Sequence, residues 1–285
     1  MKTGLVLEGG AMRGLFSAGV MDVLMENNIT FDGAVGVSAG ACFGCNYKSG
    51  QNGRVIRYNL RFCRDKRYCS TLSLITSGNM FNAKFCYHTI PEKLDIFDEK
   101  TFMTNPMAFY TVATDIETGK AVFHRMKSAD FRELEYIRSS ASMPLFSEIV
   151  ELNGRKFLDG GIASSIPLKF MENEGYEKNI VILTQPKGYV KSASKVLPLI
   201  KLRYGKYPEF VRAFEKRPAM YNSELKYVRK AEKEGRAFVI APPEKLPIGH
   251  IEHNSDRLLE VYRMGRNIAT KMLPKIMTFL DGNSL

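Results

Sequence analysis

Long hydrophobic runs are missing from this sequence of 285 residues. Apolar stretches such as 4–7, 180–183 and 238–241 are far shorter than the ~18 residues that a membrane-spanning helix needs. At the N-terminus the apolar run ends at Glu8, which leaves too few residues for the hydrophobic region of a secretory signal. We therefore expect a cytoplasmic protein without a transmembrane helix.

Repeats, heptads, G-X-Y periodicity and low-complexity segments are also absent, which excludes the fibrous and disordered classes. Hydrophobic residues make up 45% and charged residues 25% of the chain, close to the usage of folded soluble proteins. The length is sufficient for one large core or two modest ones without disulfides or metals.

Cysteines are few and odd in number, with five at positions 42, 45, 63, 69 and 86. Without a secretory signal, such a set is more typical of buried thiols than of a disulfide framework. Cys42 and Cys45 form a C-x-x-C pair, but the other cysteines fall at spacings that match no usual zinc module. We expect core thiols on a buried helix, and no metal site.

Positive charge is abundant, and it is concentrated in one region. The formal net charge is +11, and residues 185–238 contain fourteen lysines and arginines against five acidic residues. Tyrosines are interleaved with these charges, a mixture that suits an anionic lipid surface and would also suit nucleic acid. A solvated helical face is the alternative interpretation of such a charge run.

The first forty residues predict alternating strands and helices. A strand at 3–7, a glycine-rich turn at 9–14 and a helix at 15–26 are followed by a strand at 33–37 and a helix start at 39. This order argues for a parallel sheet with helices on its faces. Further strands are expected at 109–115, 146–152, 155–158, 179–184 and 237–241, and further helices at 54–64, 130–142 and 255–280.

The pentapeptide Gly36-Val37-Ser38-Ala39-Gly40 fits the pattern G-x-S-x-G. It lies between a predicted buried strand and a helix start, where a sharp turn requires glycine at both flanking positions. Such a turn lifts the serine hydroxyl above the edge of the sheet, so Ser38 is a candidate nucleophile. The pattern alone also occurs by chance, and its position between strand and helix is what makes it credible.

The glycine-rich turn at 9–14 has three possible functions. A phosphate loop is excluded because no G-K-[ST] follows Gly14. A dinucleotide fingerprint is weakened because Ala11 stands where glycine is needed and Ser38 where the acidic residue is needed. The third function is an oxyanion hole, built from backbone amides at a helix N-terminus. Arg13 could hold this turn rigid or attract an anionic head group.

A serine nucleophile needs a base, and Asp159 is the better candidate. The four histidines are His88, His124, His250 and His253. None of them lies in a glycine-bounded loop at the end of a predicted strand. Asp159 ends a predicted strand and is followed by Gly160 and Gly161, which permit close approach to another backbone. A turn or a helix cap is the structural alternative. Because an ordinary aspartate has a pKa of ~3.9, burial in a dry cleft must raise it.

These motifs together resemble the bacterial patatin-like phospholipases, a family of acyl hydrolases, over roughly residues 2–185. The family's glycine loop is matched by Gly9, Gly10, Arg13 and Gly14, with Ala11 in place of its third glycine. The nucleophile motif matches Gly36 to Gly40, and the D-G-G motif matches Asp159 to Gly161. A fourth block, a run of small residues that ends in proline, resembles residues 139–144.

The resemblance implies a three-layer α/β/α sandwich with a mainly parallel central sheet, a catalytic core at 1–185 and an accessory segment at 186–285. The segment would comprise the basic helical region, one more strand and C-terminal helices packed on the core. It implies a catalytic dyad of Ser38 and Asp159 without histidine or any cofactor. The implied oxyanion hole comes from the loop residues Gly9, Gly10, Ala11, Met12, Arg13 and Gly14.

The resemblance also implies the reaction, the hydrolysis of fatty-acyl esters of phospholipids or lysophospholipids through an acyl-Ser38 intermediate. We expect the basic region to contact anionic membrane peripherally or to form part of a lid, and we expect no nucleic-acid partner. Two alternatives stay open. One is a conventional Ser-His-Asp esterase that uses His250 or His253, and the other is a non-catalytic lipid-binding or nucleic-acid-binding protein on the same scaffold.

Overall fold

A single eight-stranded sheet organises the protein, whose computed structural model describes residues 1–281. The strands are β1 (Lys2–Leu7), β2 (Gly33–Val37), β3 (Ala108–Asp115), β4 (Ala121–Arg125), β5 (Val150–Leu152), β6 (Arg155–Asp159), β7 (Tyr176–Ile182) and β8 (Ala237–Ile240). Their order is β5-β6-β3-β2-β1-β7-β8, and β4 also pairs with β3. Strands β3, β2, β1, β7 and β8 run parallel, whereas β4, β5 and β6 add antiparallel pairings.

Helices cover both faces of this sheet. They are α1 (Leu15–Glu26), α2 (Ala39–Lys48), α3 (Arg54–Phe62), α4 (Thr71–Ser77), α5 (Glu99–Thr104), α6 (Phe131–Ala141), α7 (Leu168–Asn173), α8 (Leu197–Tyr204), α9 (Pro208–Lys233) and α10 (Ser255–Leu280). Side chains of β1 alternate between two cores, because Leu5 and Leu7 pack with α1, α2 and α10 while Val6 packs with α7 and α9. The expected three-layer sandwich with a mainly parallel sheet is confirmed.

The last helix packs directly on the first through two glycines. A Cβ atom on Gly19 of α1 would lie 2.1 Å from the carbonyl oxygen of Tyr262, and one on Gly265 of α10 would lie 2.0 Å from that of Phe16. The Tyr262 hydroxyl also donates to Asp22 at 2.6 Å. The C-terminal segment therefore contributes to both cores, with α10 in one and α9 and β8 in the other. Among residues 1–281, no helix is both long enough and apolar enough to cross a membrane.

The middle of the chain departs most from expectation. The strand expected at 146–152 is reduced to β5, because Leu145 adopts a φ of 71° and the Phe146 carbonyl accepts from the amide of Met80. Strand β4, helices α4 and α5 and a π-helical segment (Phe85–Leu94) fill regions that have no clear sequence pattern. The predicted Asn-Gly hairpin is present, with φ values of 53° at Asn153 and 73° at Gly154.

Candidate active site

Ser38 lies at the turn between β2 and α2, in the left-handed region with φ 55° and ψ −122°. The flanking glycines allow this turn to pack tightly against its neighbours. A Cβ atom on Gly36 would lie 2.4 Å from the Gly40 carbonyl oxygen, and one on Gly40 would lie 2.4 Å from the Leu7 carbonyl oxygen. The sequence G-x-S-x-G is thus required by backbone contacts, as expected for a serine presented by a strained strand-to-helix turn.

Asp159 is brought beside Ser38 by β3, which lies between β2 and β6. Val37 pairs with Val112 of β3, and the next residue, Ala113, pairs with Asp159. The aspartate therefore arrives on an antiparallel strand, at the level where β2 gives way to Ser38. Gly160 permits this arrangement, because a Cβ atom there would lie 2.0 Å from the Val112 carbonyl oxygen.

The run of small residues at 139–144 connects the two motifs. The Ser140 hydroxyl accepts from the Ser38 amide at 2.9 Å, and the Ser142 carbonyl accepts from the Asp159 amide at 2.8 Å. These contacts fix the backbone of both residues from the end of helix α6. The fourth family block therefore positions Ser38 relative to the Asp159 carboxyl group.

The Asp159 carboxyl group is buried, with 4% of the residue exposed. Burial raises the pKa of Asp159 above its ordinary value, while the Ser38 hydroxyl and the positive charge of Arg217 oppose that rise. The Gly161 amide donates to Asp159 Oδ1 at 2.8 Å and fixes the orientation of the carboxyl group. The raised pKa makes this aspartate a stronger base than one in water.

The glycine-rich loop contains two kinds of backbone amide. The amide of Met12 donates to the His250 carbonyl at 3.3 Å, and that of Arg13 donates to the Gly10 carbonyl at 3.2 Å. Within residues 1–281, the amides of Gly9, Gly10 and Ala11 have no acceptor. Of the loop residues expected in the oxyanion hole, these three keep a free donor, whereas Gly14 packs against the ring of Phe43.

Three side chains restrain this loop. Arg13 Nε donates to the Gly10 carbonyl at 3.3 Å, and Arg13 Nη2 lies 3.0 Å from His250 Nε2. The Thr184 hydroxyl donates to the Gly9 carbonyl at 2.7 Å. Arg13 therefore holds the turn rigid, one of the two functions considered from the sequence. Ala11, the departure from the family pattern, adopts a φ of 50° that glycine would accept without strain.

Glu8 joins the start of this loop to the C-terminal segment. It is buried, and its two carboxyl oxygens accept from the Tyr221 hydroxyl of α9 and from the Thr184 amide, each at 2.6 Å. Burial raises the pKa of Glu8. Helix α9 therefore contacts the loop through a fully bonded carboxyl group that the sequence motifs did not indicate.

Two cavities meet at Ser38. The first, which we call the apolar cavity, is lined mainly by α2, α3, α6 and the π-helical segment. The second, which we call the polar cleft, is lined by Ser38 and Asp159 together with charged residues. Ala11, Ser38 and Met143 line both. The arrangement can hold an apolar chain on one side of the serine and a polar group on the other.

The cysteine pair belongs to the apolar cavity. Cys42 and Cys45 lie on α2, and both line this cavity. Burial raises the pKa of each thiol to about 12, so both are protonated at neutral pH. The pair occupies the buried helix that the sequence indicated.

Of the four histidines, His250 lies at the polar cleft. Partial removal of its ring from water, together with the charges of Arg13, Arg217 and Lys191, lowers its pKa to about 4. The others have different partners. His88 pairs with Glu135, His124 with Glu133, and His253 Nδ1 lies 2.6 Å from the Cys63 carbonyl oxygen.

Sequence reasoning named His250 as a candidate base of the alternative triad, but it missed three other residues that line the polar cleft. They are Lys191, Arg217 and Tyr221, all from beyond residue 185. The available signal was the basic, tyrosine-containing stretch 185–238, which includes all three. Its pattern showed a charged surface and did not show which side chains turn toward the site.

Comparisons with known proteins show which family the chain resembles. Residues 5–171 match the family model described as patatin-like phospholipase, and residues 207–281 match one described as a domain of unknown function (DUF6363). The Escherichia coli K12 protein YjjU is 27% identical over 280 residues, which cover 92% of this chain and 74% of YjjU.

Two eukaryotic relatives match as parts of much longer proteins. Neuropathy target esterase sws of Drosophila melanogaster is 29% identical, with 63% of this chain and 12% of sws covered. Lysophospholipase NTE1 of Yarrowia lipolytica is 23% identical, with 96% of this chain and 19% of NTE1 covered. The match to the family model covers more than half of the chain and includes all three sequence motifs. The chain therefore belongs to the patatin-like phospholipase family, a family of lipid hydrolases.

Proposed function

We propose that this protein hydrolyses fatty-acyl esters of phospholipids or lysophospholipids with Ser38 as nucleophile and Asp159 as base. The observation that supports it best is the approach of a buried carboxyl group to a serine on a strained turn. The free amides of Gly10 and Ala11, on the adjacent loop, are the proposed oxyanion donors. In this proposal residues 1–185 form the catalytic core and 186–285 the accessory segment.

The proposed reaction has two steps. Ser38 Oγ attacks the ester carbonyl carbon while its proton moves to the Asp159 carboxylate, and the loop amides stabilise the oxyanion. The carbon–oxygen bond to the alcohol then breaks, and Asp159 returns the proton to the leaving oxygen. In the second step Asp159 takes a proton from water, which attacks the carbonyl carbon of the acyl-Ser38 ester. The bond to Ser38 Oγ then breaks, Asp159 returns the proton to that oxygen, and the fatty acid is released. The raised pKa of Asp159 suits both proton transfers.

The two cavities suggest how such an ester would lie. The acyl chain suits the apolar cavity, because its lining consists mainly of apolar and aromatic side chains. The alcohol part would then occupy the polar cleft, beside Arg13 and Arg217. With this placement the ester carbonyl lies at Ser38, where the two cavities meet.

A Ser-His-Asp mechanism would need a histidine at the nucleophile. His250 is the candidate in the polar cleft, but its Nε2 faces the Arg13 guanidinium and its pKa is lowered to about 4. A His250 ring that accepted the Ser38 proton would become positively charged. The same neighbouring cations would destabilise that charged form. Replacing His250 by alanine should therefore cost far less activity than replacing Asp159, and the opposite order would favour the triad.

The test combines turnover with labelling. Wild type, Ser38→Ala and Asp159→Asn are assayed with a short p-nitrophenyl ester and with a fluorophosphonate probe followed by mass spectrometry. We expect turnover and an adduct at Ser38 for wild type, and neither for Ser38→Ala. A wild-type protein that neither turns over the ester nor forms the adduct would refute the proposal.

We further propose that residues 186–206 contact anionic membrane. This segment has no acidic residue, and its basic residues are Lys187, Lys191, Lys195, Lys201, Arg203 and Lys206. Leu199 and Leu202 of α8 are exposed, Leu202 by 84%. Ser194 and Val196 of the same segment line the polar cleft. Contact here would place the entrance to the site at the lipid surface.

The triple variant Lys195→Gln, Arg203→Gln, Lys206→Gln tests this contact. At about 1 kcal/mol for each basic residue, binding to phosphatidylserine-containing vesicles should weaken roughly hundredfold. The control replaces three exposed basic residues on α10, Arg263, Lys271 and Lys275, with glutamine. Equal losses in the two triple variants would show a general charge effect and refute this site of contact.

A further inference from the structure

Three cations line the polar cleft without an acidic partner. Arg13, Lys191 and Arg217 share this cleft with Ser38 and Asp159. None of the ion pairs found within residues 1–281 includes any of the three. Arg217 Nε donates to the Gly161 carbonyl at 2.7 Å, two residues from the catalytic carboxylate. The positive charge is therefore concentrated beside the reacting atoms.

The carboxyl groups of the cleft are already engaged. Glu8 and Asp159 are the acidic side chains that line it. Both oxygens of Glu8 accept hydrogen bonds from Tyr221 and Thr184, and burial raises its pKa. Asp159 faces Ser38 and the Gly161 amide. A cationic head group would meet no available carboxylate here.

The two tyrosine rings nearest to Lys191 already face a cation. The Lys191 ammonium lies 4.4 Å from the ring centroid of Tyr221, which lines the cleft, and 5.8 Å from that of Tyr189. At Tyr221 the position in which a choline group would be held by cation–π attraction is thus taken by the protein's own cation. Burial, and then repulsion by Arg217, lowers the pKa of Lys191 to about 8, so it still carries charge at neutral pH.

We propose that Lys191 and Arg217 form an anion subsite that selects acyl esters with a net-anionic phosphate head group over those with phosphocholine. The inference rests on the proposed acyl-ester hydrolysis at Ser38 and adds the charge of the preferred head group. Lys191 lies outside both matched family ranges, and Arg217 lies in the range of unknown function. Arg13, already bonded to Gly10 and His250, adds positive potential to the subsite.

The first test compares two substrates that share the same acyl chains. Dihexanoyl phosphatidic acid and dihexanoyl phosphatidylcholine are assayed as monomers in solution, so that membrane binding plays no part. Wild type should have the larger kcat/KM for the phosphatidic acid. Lys191→Met and Arg217→Met should each lower the ratio of the two kcat/KM values about tenfold, because charge-assisted hydrogen bonds are lost. Lys191→Glu should lower this ratio further.

The matched control is Lys216→Met, which removes an exposed charge next to Arg217 on α9. Its ratio of kcat/KM values should equal that of wild type. An active wild-type enzyme that uses both substrates equally, or a ratio that falls as much in Lys216→Met as in Lys191→Met, would overturn the subsite.

A binding measurement separates this inference from the hydrolase proposal. Glycerol 3-phosphate, glycerophosphocholine and inorganic phosphate are titrated by calorimetry into Ser38→Ala and into Ser38→Ala with Lys191→Met. We expect glycerol 3-phosphate to bind more tightly than the other two, and about tenfold more weakly once Lys191 is replaced. This result, with no turnover by wild type, would uphold the subsite and refute the hydrolase. Preferential binding of free phosphate would overturn the head-group assignment.

Discussion

The two cavities that meet at Ser38 differ in chemistry and in origin. The apolar cavity is lined by residues from Ala11 to Met143, all within the range that matches the patatin-like phospholipase model. The polar cleft combines motif residues of that range with side chains from beyond residue 185, among them Lys191, Arg217 and His250. One side of the site is therefore built entirely by residues that match the family model, and the other side also needs residues from beyond residue 185.

This difference separates two properties of the proposed enzyme. Acyl-chain selection would depend on helices α2, α3 and α6, whereas head-group selection would depend on α9 and the segment that precedes α8. The hydrogen bond between Tyr221 and Glu8 shows that the two parts also share the loop beside Ser38. Substitutions in the apolar cavity should therefore change the preference for acyl-chain length. Substitutions in the polar cleft should instead change the preference for the head group or the pH dependence of kcat/KM.

The largest effect is expected where the two cavities meet. Asp159→Asn should lower kcat for ester hydrolysis by about a thousandfold or more, because the proposed base is removed. The folded-state pKa of Asp159 is raised, so its ionised form opposes folding above the unfolded-state pKa of ~3.9 and ceases to do so below it. Asparagine removes that cost, and the free energy of unfolding at pH 7 should be unchanged or higher.

Urea denaturation beside the rate measurement checks this prediction. An Asp159→Asn protein that loses both activity and stability would assign Asp159 a structural function instead. Asparagine can still accept the Gly161 amide, so the local turn has no reason to open.

A second, smaller effect is expected in the apolar cavity. Ala141→Phe places a ring in this cavity and should exclude part of a long acyl chain. Each methylene denied burial costs about 0.8 kcal/mol, or roughly a fourfold loss in kcat/KM. The ratio of long-chain to short-chain p-nitrophenyl ester hydrolysis should therefore fall at least about tenfold. Ala219→Phe, at an exposed position of α9, is the control and should keep the wild-type ratio.

The third prediction concerns the polar cleft and pH. Arg217 lowers the pKa of Asp159, so Arg217→Met should raise it and move the acid limb of the kcat/KM profile to higher pH. Arg217→Lys keeps the charge while losing the planar contact with the Gly161 carbonyl, and its acid limb should stay near that of wild type. A neutral short-chain ester is the substrate here. If Arg217→Met and wild type have the same acid limb, the charge of Arg217 does not control the pKa of Asp159, and the prediction is wrong.

The smallest effect is expected at the loop shared by both cavities. Ala11→Gly relieves a left-handed conformation that costs about 1–2 kcal/mol, partly offset by the greater freedom of glycine in the unfolded chain. The free energy of unfolding should rise by less than about 1 kcal/mol. The contrasting variant is Gly10→Ala, whose Cβ would lie 2.7 Å from the Thr184 hydroxyl. Unlike Ala11→Gly, it should lower both the rate of ester hydrolysis and the free energy of unfolding measured by chemical denaturation.

Much of the fold was predictable where local pattern and tertiary structure agree. Strand β1, helix α1 and strand β2 follow clear periodicity, and the family resemblance drawn from the motifs is confirmed. The half-buried strand β4 and the π-helical segment were missed, because each is stabilised by neighbours distant in sequence. The antiparallel direction of β6 was equally hidden, since a strand's pattern does not state its orientation.

The site was predictable only on one side. Ser38, Asp159 and the glycine loop lie in motifs because backbone crowding requires particular residues there. No backbone contact requires a lysine at 191 or an arginine at 217. The same local sequence is compatible with a side chain that faces solvent and with one that faces the cleft. The position of Lys191 and Arg217 depends on how α9 packs across the sheet, which is a tertiary property.

The position of β1 has a consequence for the order of folding. This strand is synthesised before the other strands of the sheet, yet it lies between β2 and β7, and its pairing partners in β7 begin at Tyr176. At about 5–20 residues per second, translation leaves one edge of β1 unpaired for on the order of ten seconds or more. An apolar parallel edge exposed for that long is open to intermolecular pairing. Nascent chains of this protein should therefore depend on chaperones until β7 has left the ribosome.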